Sequence, residues 1–232
     1  MILYYVRHGD PIYDPDSLTE LGKLQAAAVG KRLALHGMDR IFSSTSNRAR
    51  QTAQPLCDIL NQEADLQDWC SEMHAWEALT LINEEGRKIW CTMDPGTTKL
   101  LVSKEVRELG KKWYTHPAFA GTGYGEYIQR IQQQCDDFLA SLGYRHDPEN
   151  NCYYAENPQY EKVALFGHAG AGGAILSAML DIPYCVFAQT FDMSHTGVTV
   201  ISFEEEDGIV LPKVLTFSND SHLYREGYPT LY

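Results

Sequence analysis

The chain passes from a short apolar run, Ile2 to Val6, directly into Arg7-His8-Gly9, and from a second, Val163 to Phe166, into Gly167-His168-Ala169-Gly170. Runs of this length and apolarity read as buried strands. The carboxyl ends of such strands are where open α/β sheets bind ligands. An imidazole at that edge can serve as nucleophile, base or metal ligand, and an adjacent guanidinium presents a fixed fork of donors to phosphate oxygens. Glycine beside them lets backbone approach an anion closely. Arg7, His8 and His168 are therefore suited to grip a phosphate and attack it.

Two neighbouring stretches extend this chemistry. The glycines after His168 (Gly170, Gly172, Gly173) open a helix whose free N–H groups favour an anion. They do not spell a dinucleotide site, because a GxGxxG counted from Gly170 needs glycine at 175, where Ile175 stands. The run Ser43 to Ala53 leads from a strand end into a helix, with Arg48 near the helix start and aimed back over the strand ends, while Arg50 reads as a solvated residue.

The elements that position these groups alternate. Ser17-Leu18-Thr19-Glu20 resembles a capping box, starting a helix to about Leu35 with Leu21, Leu24 and Ala28 inward. Ile41-Phe42 is a strand, about Asn47 to Leu60 a helix, and Ala64 to Trp69 a further strand. This βαβαβ order predicts a largely parallel sheet. From about 78 to 125 the pattern loosens, with one helix at Lys104–Tyr114 carrying Val106, Leu109 and Trp113 on one face. An amphipathic helix follows over Tyr124–Leu142, with Ile128, Ile131, Cys135, Phe138 and Leu142 inward. Then come a helix at Gly170–Leu180 and a closing strand pair, Thr196–Phe203 and Ile209–Phe217. The expectation is one α/β domain over 1–232 with a cap inserted at about 78–125.

Composition excludes some classes. At 232 residues, a formal charge of −12 argues against nucleic-acid or anionic-membrane binding, which demands clustered Lys and Arg. No apolar run approaches the ~20 residues of a spanning helix. The first strand begins almost at Met1, so no export leader is expected. Cys57, Cys70, Cys91, Cys135, Cys152 and Cys185 are scattered without a CxxC, and read as reduced core thiols of a cytoplasmic protein.

In combination, Arg7-His8-Gly9, Leu18-Thr19-Glu20-Leu21-Gly22 with Gln25-Ala26, Ser44 through Arg48-Ala49 with Thr52-Ala53, and Gly167-His168-Ala169-Gly170 resemble the histidine phosphatase superfamily, the phosphoglycerate mutase-like group. Asn219-Asp220-Ser221-His222-Leu223 resembles the tail of its phosphatase branch. The resemblance implies a three-layer α/β/α sandwich with a mostly parallel central sheet. It also implies hydrolysis of a small-molecule phosphate ester through a phosphohistidine on His8. Arg7, Arg48 and His168 would hold the phosphoryl oxygens, with no metal or cofactor. The alternatives are a phosphoglycerate mutase, which would return the phosphoryl group to substrate, and a non-catalytic sensor of a phosphorylated ligand.

A leaving alkoxide needs a proton. The family takes it from a Glu after the third strand; Glu72-Met73-His74 matches that element best, and Glu77 beside Trp76 is the second candidate. Burial beside Trp69 and Trp76 would raise the pKa of Glu72. Asp10 and Asp14 would repel a phosphate unless turned outward. They and Asp16 read as turn-forming carboxylates rather than cation ligands. Between Arg87 and Lys112, seven basic residues face three acidic ones, a net +4 that would steer an anionic substrate through Lys111 and Lys112 or simply form a solvated face. Trp90, Trp113, Tyr114, Phe119 and Tyr124 are either cap core or a wall for an organic group. Monomer and dimer both fit the composition.

Overall fold

Alternate residues of the first strand must be buried on opposite sides, and two helical layers meet that need. The computed structural model describes residues 1–232. It opens with β1 (Ile2–Arg7), a hairpin of β2 (Pro11–Tyr13) and β3 (Asp16–Leu18), and α1 (Glu20–Ala34). There follow β4 (Arg40–Ser44), α2 (Asn47–Leu60), β5 (Asp65–Gln67) and α3 (Glu72–Ala78). Then come the hairpin β6 (Thr80–Ile82) and β7 (Lys88–Trp90), α4 (Pro95–Leu101), α5 (Lys104–Arg107) and 3-10 turns at Gly110–Thr115 and Pro117–Phe119. Next are α6 (Tyr124–Ser141), β8 (Tyr144–Asp147), β9 (Cys152–Ala155), β10 (Lys162–Gly167), α7 (Gly170–Met179) and α8 (Tyr184–Phe187). The chain closes with β11 (Val198–Ser202), β12 (Glu205–Glu206), β13 (Ile209–Val210), β14 (Lys213–Asn219) and α9 (Ser221–Glu226).

Six strands form the central sheet in the order β14-β11-β1-β10-β4-β5. The β1–β10, β10–β4 and β4–β5 pairs are parallel; β11 and β14 join antiparallel. Leu3 and Tyr5 point into the core shared with α6 and α7, whereas Tyr4 and Val6 point into the core beneath α1 and α2. This period-two split is why the strand is apolar throughout, and it gives the three-layer α/β/α sandwich. The register sets Arg7 opposite Gly167, so His8 and His168 leave adjacent parallel strands side by side.

Several local expectations are corrected. The turn-rich stretch after His8 is the β2–β3 hairpin. The cap of α1 is Thr19, whose hydroxyl accepts from Gly22 N at 3.0 Å, while Glu20 faces solvent and pairs with Lys23. Leu24 is exposed. The buried face of α1 carries Gly22, Ala26, Ala28 and Gly30 beside Gln25, Val29 and Leu33, and its small residues let it cross α2 closely: a Cβ on Gly30 would lie 3.0 Å from Leu56 N and Pro55 Cβ. The Lys104–Tyr114 helix breaks at Gly110, which adopts φ +56, and Leu109 is left partly exposed. Ile128 is only half-buried, with Tyr127 taking the inward place on α6. A second sheet, β12-β13-β9-β8, was not anticipated and draws Ile209-Val210 away from the closing pair. Trp113, Phe119 and Tyr124 interlock with Tyr184 and belong to the same core as the central sheet. The six cysteines are buried and unpaired. No helix is long and apolar enough to cross a membrane.

One ionic knot joins these parts. His146 on β8 meets Asp136 of α6 through Nδ1 (2.9 Å) and Asp181, just after α7, through Nε2 (3.0 Å), and its ring stacks on Tyr153. Lys111 also ends on Asp181 and on Asn151, which removes it from substrate steering. Burial alone would lower the His146 pKa, but the two carboxylates lift it to about 9. Because the folded pKa is raised above the ordinary value, this stabilisation is full below pH ~6.5 and is lost progressively as pH rises through 9. We expect His146→Leu to lower stability at pH 6 by about 2 kcal/mol, with parent and variant converging by pH ~10. Urea denaturation across that range reads it, and a difference that does not change with pH would refute the assignment.

Candidate active site

The end of β1 is held in a tight backbone setting. His8 N donates to Gly167 O (2.9 Å), and Gly9 N donates to the Thr52 hydroxyl (3.0 Å), itself bonded to Arg48 O. A Cβ on Gly9 would come within 2.7 Å of Gly22 O, so only glycine lets this loop pass the start of α1. The His8 ring bonds through Nδ1 to Gly9 O at 2.7 Å. A carbonyl can only accept, so Nδ1 carries the proton and Nε2 keeps its lone pair.

His168 faces His8 edge-on, with ring centroids 5.3 Å apart. Its Nε2 lies 2.9 Å from Ser44 Oγ and 3.3 Å from Ser46 Oγ, both at the β4–α2 junction. Its backbone is fixed by Tyr5, whose buried hydroxyl accepts from His168 N (3.0 Å) and donates to His168 O (2.9 Å). By pattern Tyr5 is one residue of the buried Ile2–Val6 strand; its hydroxyl gives it this further task. Tyr5→Phe would strand both backbone groups of His168, and we expect it to cost about 1–3 kcal/mol and to lower kcat rather than raise KM. Thermal denaturation and steady-state kinetics test this; an unchanged kcat would show that His168 needs no such anchor.

Arg7 and Arg48 enter from different elements. Arg7 is buried and donates through one terminal nitrogen to Met193 O. Arg48, in the first turn of α2, pairs with Asp16 Oδ1 at 2.8 Å and lies over the Tyr13 ring. The carboxylates of the hairpin thus have distinct fates. Asp14 is exposed, Asp10 Oδ2 accepts from the Thr19 hydroxyl at 2.6 Å, and Asp16 holds Arg48 and accepts from Asn47 N. Arg50 is exposed.

Glu72 stands at the start of α3 and accepts from Gly170 N (3.1 Å) and Ala171 N (2.9 Å), the first N–H groups of α7 beside His168. Burial raises its pKa, and the two N–H bonds and the Arg48 and Arg7 charges only partly offset that. Trp90, rather than Trp69 or Trp76, closes over this point: a Cβ on Gly170 would meet Trp90 at 2.6 Å and Glu72 Oε1 at 2.8 Å. Trp76 stands edge-on to Trp90, and Trp69 packs on Phe138. Glu77 is exposed in a shallow surface groove with His74, Glu126 and Arg130, away from the histidines.

A third imidazole was missed. His195 precedes Thr196, whose φ of +56 turns the chain there and whose N–H reaches His8 O. Its ring lies 5.8 Å from that of His8, and its Nδ1 is 3.6 Å from Asp10 Oδ1. No apolar run flags it, because it sits before β11 rather than after a strand. Burial and the Arg7 charge push its pKa down to about 4. Burial likewise holds His8 and His168 well below the ordinary histidine range, and the two arginines push the same way. All three rings are neutral at pH 7.

Four of the nine buried polar side-chain atoms without a partner belong to this cluster: Arg7 Nε, Arg48 Nε, His168 Nδ1 and His195 Nδ1. Buried polar atoms are otherwise almost always bonded. Residues 3–93 match the family model of the histidine phosphatase superfamily (branch 1). A candidate phosphoserine phosphatase 2 of Hydrogenobacter thermophilus is 22% identical over 213 residues, covering 88% of this chain and 90% of its own. A phosphoserine phosphatase of Entamoeba histolytica, in complex with phosphoserine, superposes with a TM-score of 0.58 at 19% identity, over 96% of this chain and 98% of its own. A mycobacterial glucosyl-3-phosphoglycerate phosphatase, in complex with VO3, gives 0.60 at 20% identity over 93% and 98%. These likenesses show the fold. Residues 3–93, the first strands and helices, thus resemble the histidine phosphatase superfamily, and the fold of the whole chain is that of the phosphatases named above.

Proposed function

We propose that the chain hydrolyses the monoester of a small phosphorylated metabolite through a phosphohistidine on His8. The observation that carries this reading is the set of buried, unpartnered atoms on Arg7, Arg48, His168 and His195 in the cluster that also holds His8, whose Nε2 is free. A dianionic phosphoryl group would satisfy them at once.

His8 Nε2 attacks phosphorus in line, and the P–O bond to the alcohol breaks. Arg7 and Arg48 offset the charge on the equatorial oxygens, and His168 donates through Nδ1–H, its Nε2 accepting from Ser44. Glu72 gives its proton to the departing oxygen. It then takes one from the water that attacks phospho-His8, releasing phosphate and the free imidazole. The raised pKa of Glu72 supports the acid role, and a phosphoryl dianion nearby raises it further. No metal is invoked, since side-chain donors and cations account for each charge. The buried free thiols suit the cytoplasm as the setting.

Incubation with 32P-labelled 4-nitrophenyl phosphate, and separately with phosphoserine and 3-phosphoglycerate, followed by an alkaline quench that preserves phosphohistidine, tests the reading. Label on His8 with release of free phosphate is the expected result. Isomerised phosphoglycerate without release would point to a mutase. Binding without label or turnover of these or of 4-nitrophenyl phosphate would point to a sensor.

A further inference from the structure

A cavity of about 380 Å³ opens beside the phosphate-gripping groups. It shares two residues with them: Gly170, whose N–H rests on Glu72, and Met193, whose carbonyl accepts from Arg7. Trp90, Tyr184, Phe191 and Met93 are its large apolar lining residues beside Met193. Asp192 is the one charged residue among those lining it, and its field is felt at Arg7. Gln189 also lines it, and its buried amide nitrogen has no partner within the chain.

The basic residues of the cap do not reach this space. Lys111 ends on Asp181, Arg87 on Glu85, and Lys88 lies over Trp76; none of them lines the cavity. A carboxylate placed there would face Asp192 with no basic side chain in the lining, since Arg7 is taken up by the phosphoryl group, and an unpaired charge is disfavoured. Phosphoserine and 3-phosphoglycerate both carry such a carboxylate.

We propose that this cavity receives the alcohol part of the substrate, and that the alcohol is an uncharged aromatic or apolar group without a carboxylate. The Gln189 amide would donate to an ether, carbonyl or hydroxyl oxygen on it. This rests on the phosphatase reading and narrows its substrate class. The aromatic edges and faces of Trp90 and Tyr184 favour a ring, and in an apolar pocket even one methylene changes selectivity by about 10- to 200-fold.

The test compares kcat/KM for 2-phenylethyl phosphate, glycerol 3-phosphate and 3-phosphoglycerate, whose leaving alcohols are all aliphatic, with 4-nitrophenyl phosphate as a general reporter. The expected order is that of naming, with phenylethyl phosphate at least ~30-fold above 3-phosphoglycerate. Asp192→Lys should narrow that gap about tenfold by raising turnover of 3-phosphoglycerate. If 3-phosphoglycerate equals or exceeds the phenylethyl ester in the parent protein, the substrate class is wrong. If only 4-nitrophenyl phosphate is hydrolysed, the cavity assignment falls while the phosphatase reading stands. Absence of turnover with all four esters removes the phosphatase reading, and the cavity assignment with it.

Discussion

Replacing His8 with alanine is expected to lower kcat on any phosphomonoester by about 10⁴-fold or more, the usual consequence of removing an attacking group that works as part of a unit. The protein should still fold, because the backbone around His8 is held by its own N–H on Gly167 O and by Gly9 on Thr52 rather than by the ring. No neighbour can replace it. The Nε2 of His168 is engaged by Ser44, and the His195 ring stands 5.8 Å from that of His8 with its Nδ1 near Asp10. Burial and the arginines keep His8 neutral, so protonation of the nucleophile should not limit the rate at pH 6 to 8. The measurement is turnover of 4-nitrophenyl phosphate beside a thermal melt. A folded variant that retains more than about a tenth of the parent rate would mean that phosphorus is attacked by something else.

Glu72→Gln should lower kcat by about 10²- to 10⁴-fold for alkyl phosphates, whose alkoxides cannot leave without a proton. The loss should be much smaller for 4-nitrophenyl phosphate, whose phenolate leaves unaided. The pH profile supplies an independent readout. The Glu72 pKa is raised by burial, so its protonated form persists above the ordinary carboxyl range and is consumed as pH rises. Parent kcat on alkyl phosphates should therefore fall on the alkaline side of that pKa, and the Gln variant should lose this limb. Glutamine preserves the volume between Trp90 and Gly170 but turns one of the two acceptors of the α7 N–H groups into an amide. A modest stability loss is expected as well. Equal losses for aryl and alkyl esters would show that Glu72 supports the start of α7 and has no part in proton transfer. Glu77→Gln should be neutral, since that side chain is exposed.

Much of this site was legible because its residues adjoin strong local signals. His8 and His168 each follow a strand apolar on both faces, and Arg48 begins a helix whose bounds, Asn47 to Leu60, are those expected. What failed was side-chain direction where close backbone packing overrides periodicity. Leu24 looked inward by spacing, yet α1 buries its small residues because Gly30 lets α2 approach. The Lys104–Tyr114 helix looked continuous, yet Gly110 takes a left-handed turn within it. The second sheet was invisible because its strands are only two to four residues long, too short for an alternation to show.

The sequence by itself determined the sheet's parallel heart, since strand and helix signals are local, and it put forward Arg7, His8, Arg48 and His168, with the three layers and the residues' roles coming from the family resemblance. It also ranked Glu72 above Glu77. Only the tertiary structure decided what those groups meet. It brought His195 and Tyr5 to the histidines, paired Asp16 with Arg48, and bound Lys111 into the His146 knot far along the chain from its partners. It likewise gathered Trp90, Tyr184 and Asp192 around one cavity. Contacts between residues so distant in sequence follow from strand register and helix crossing, which no local pattern encodes.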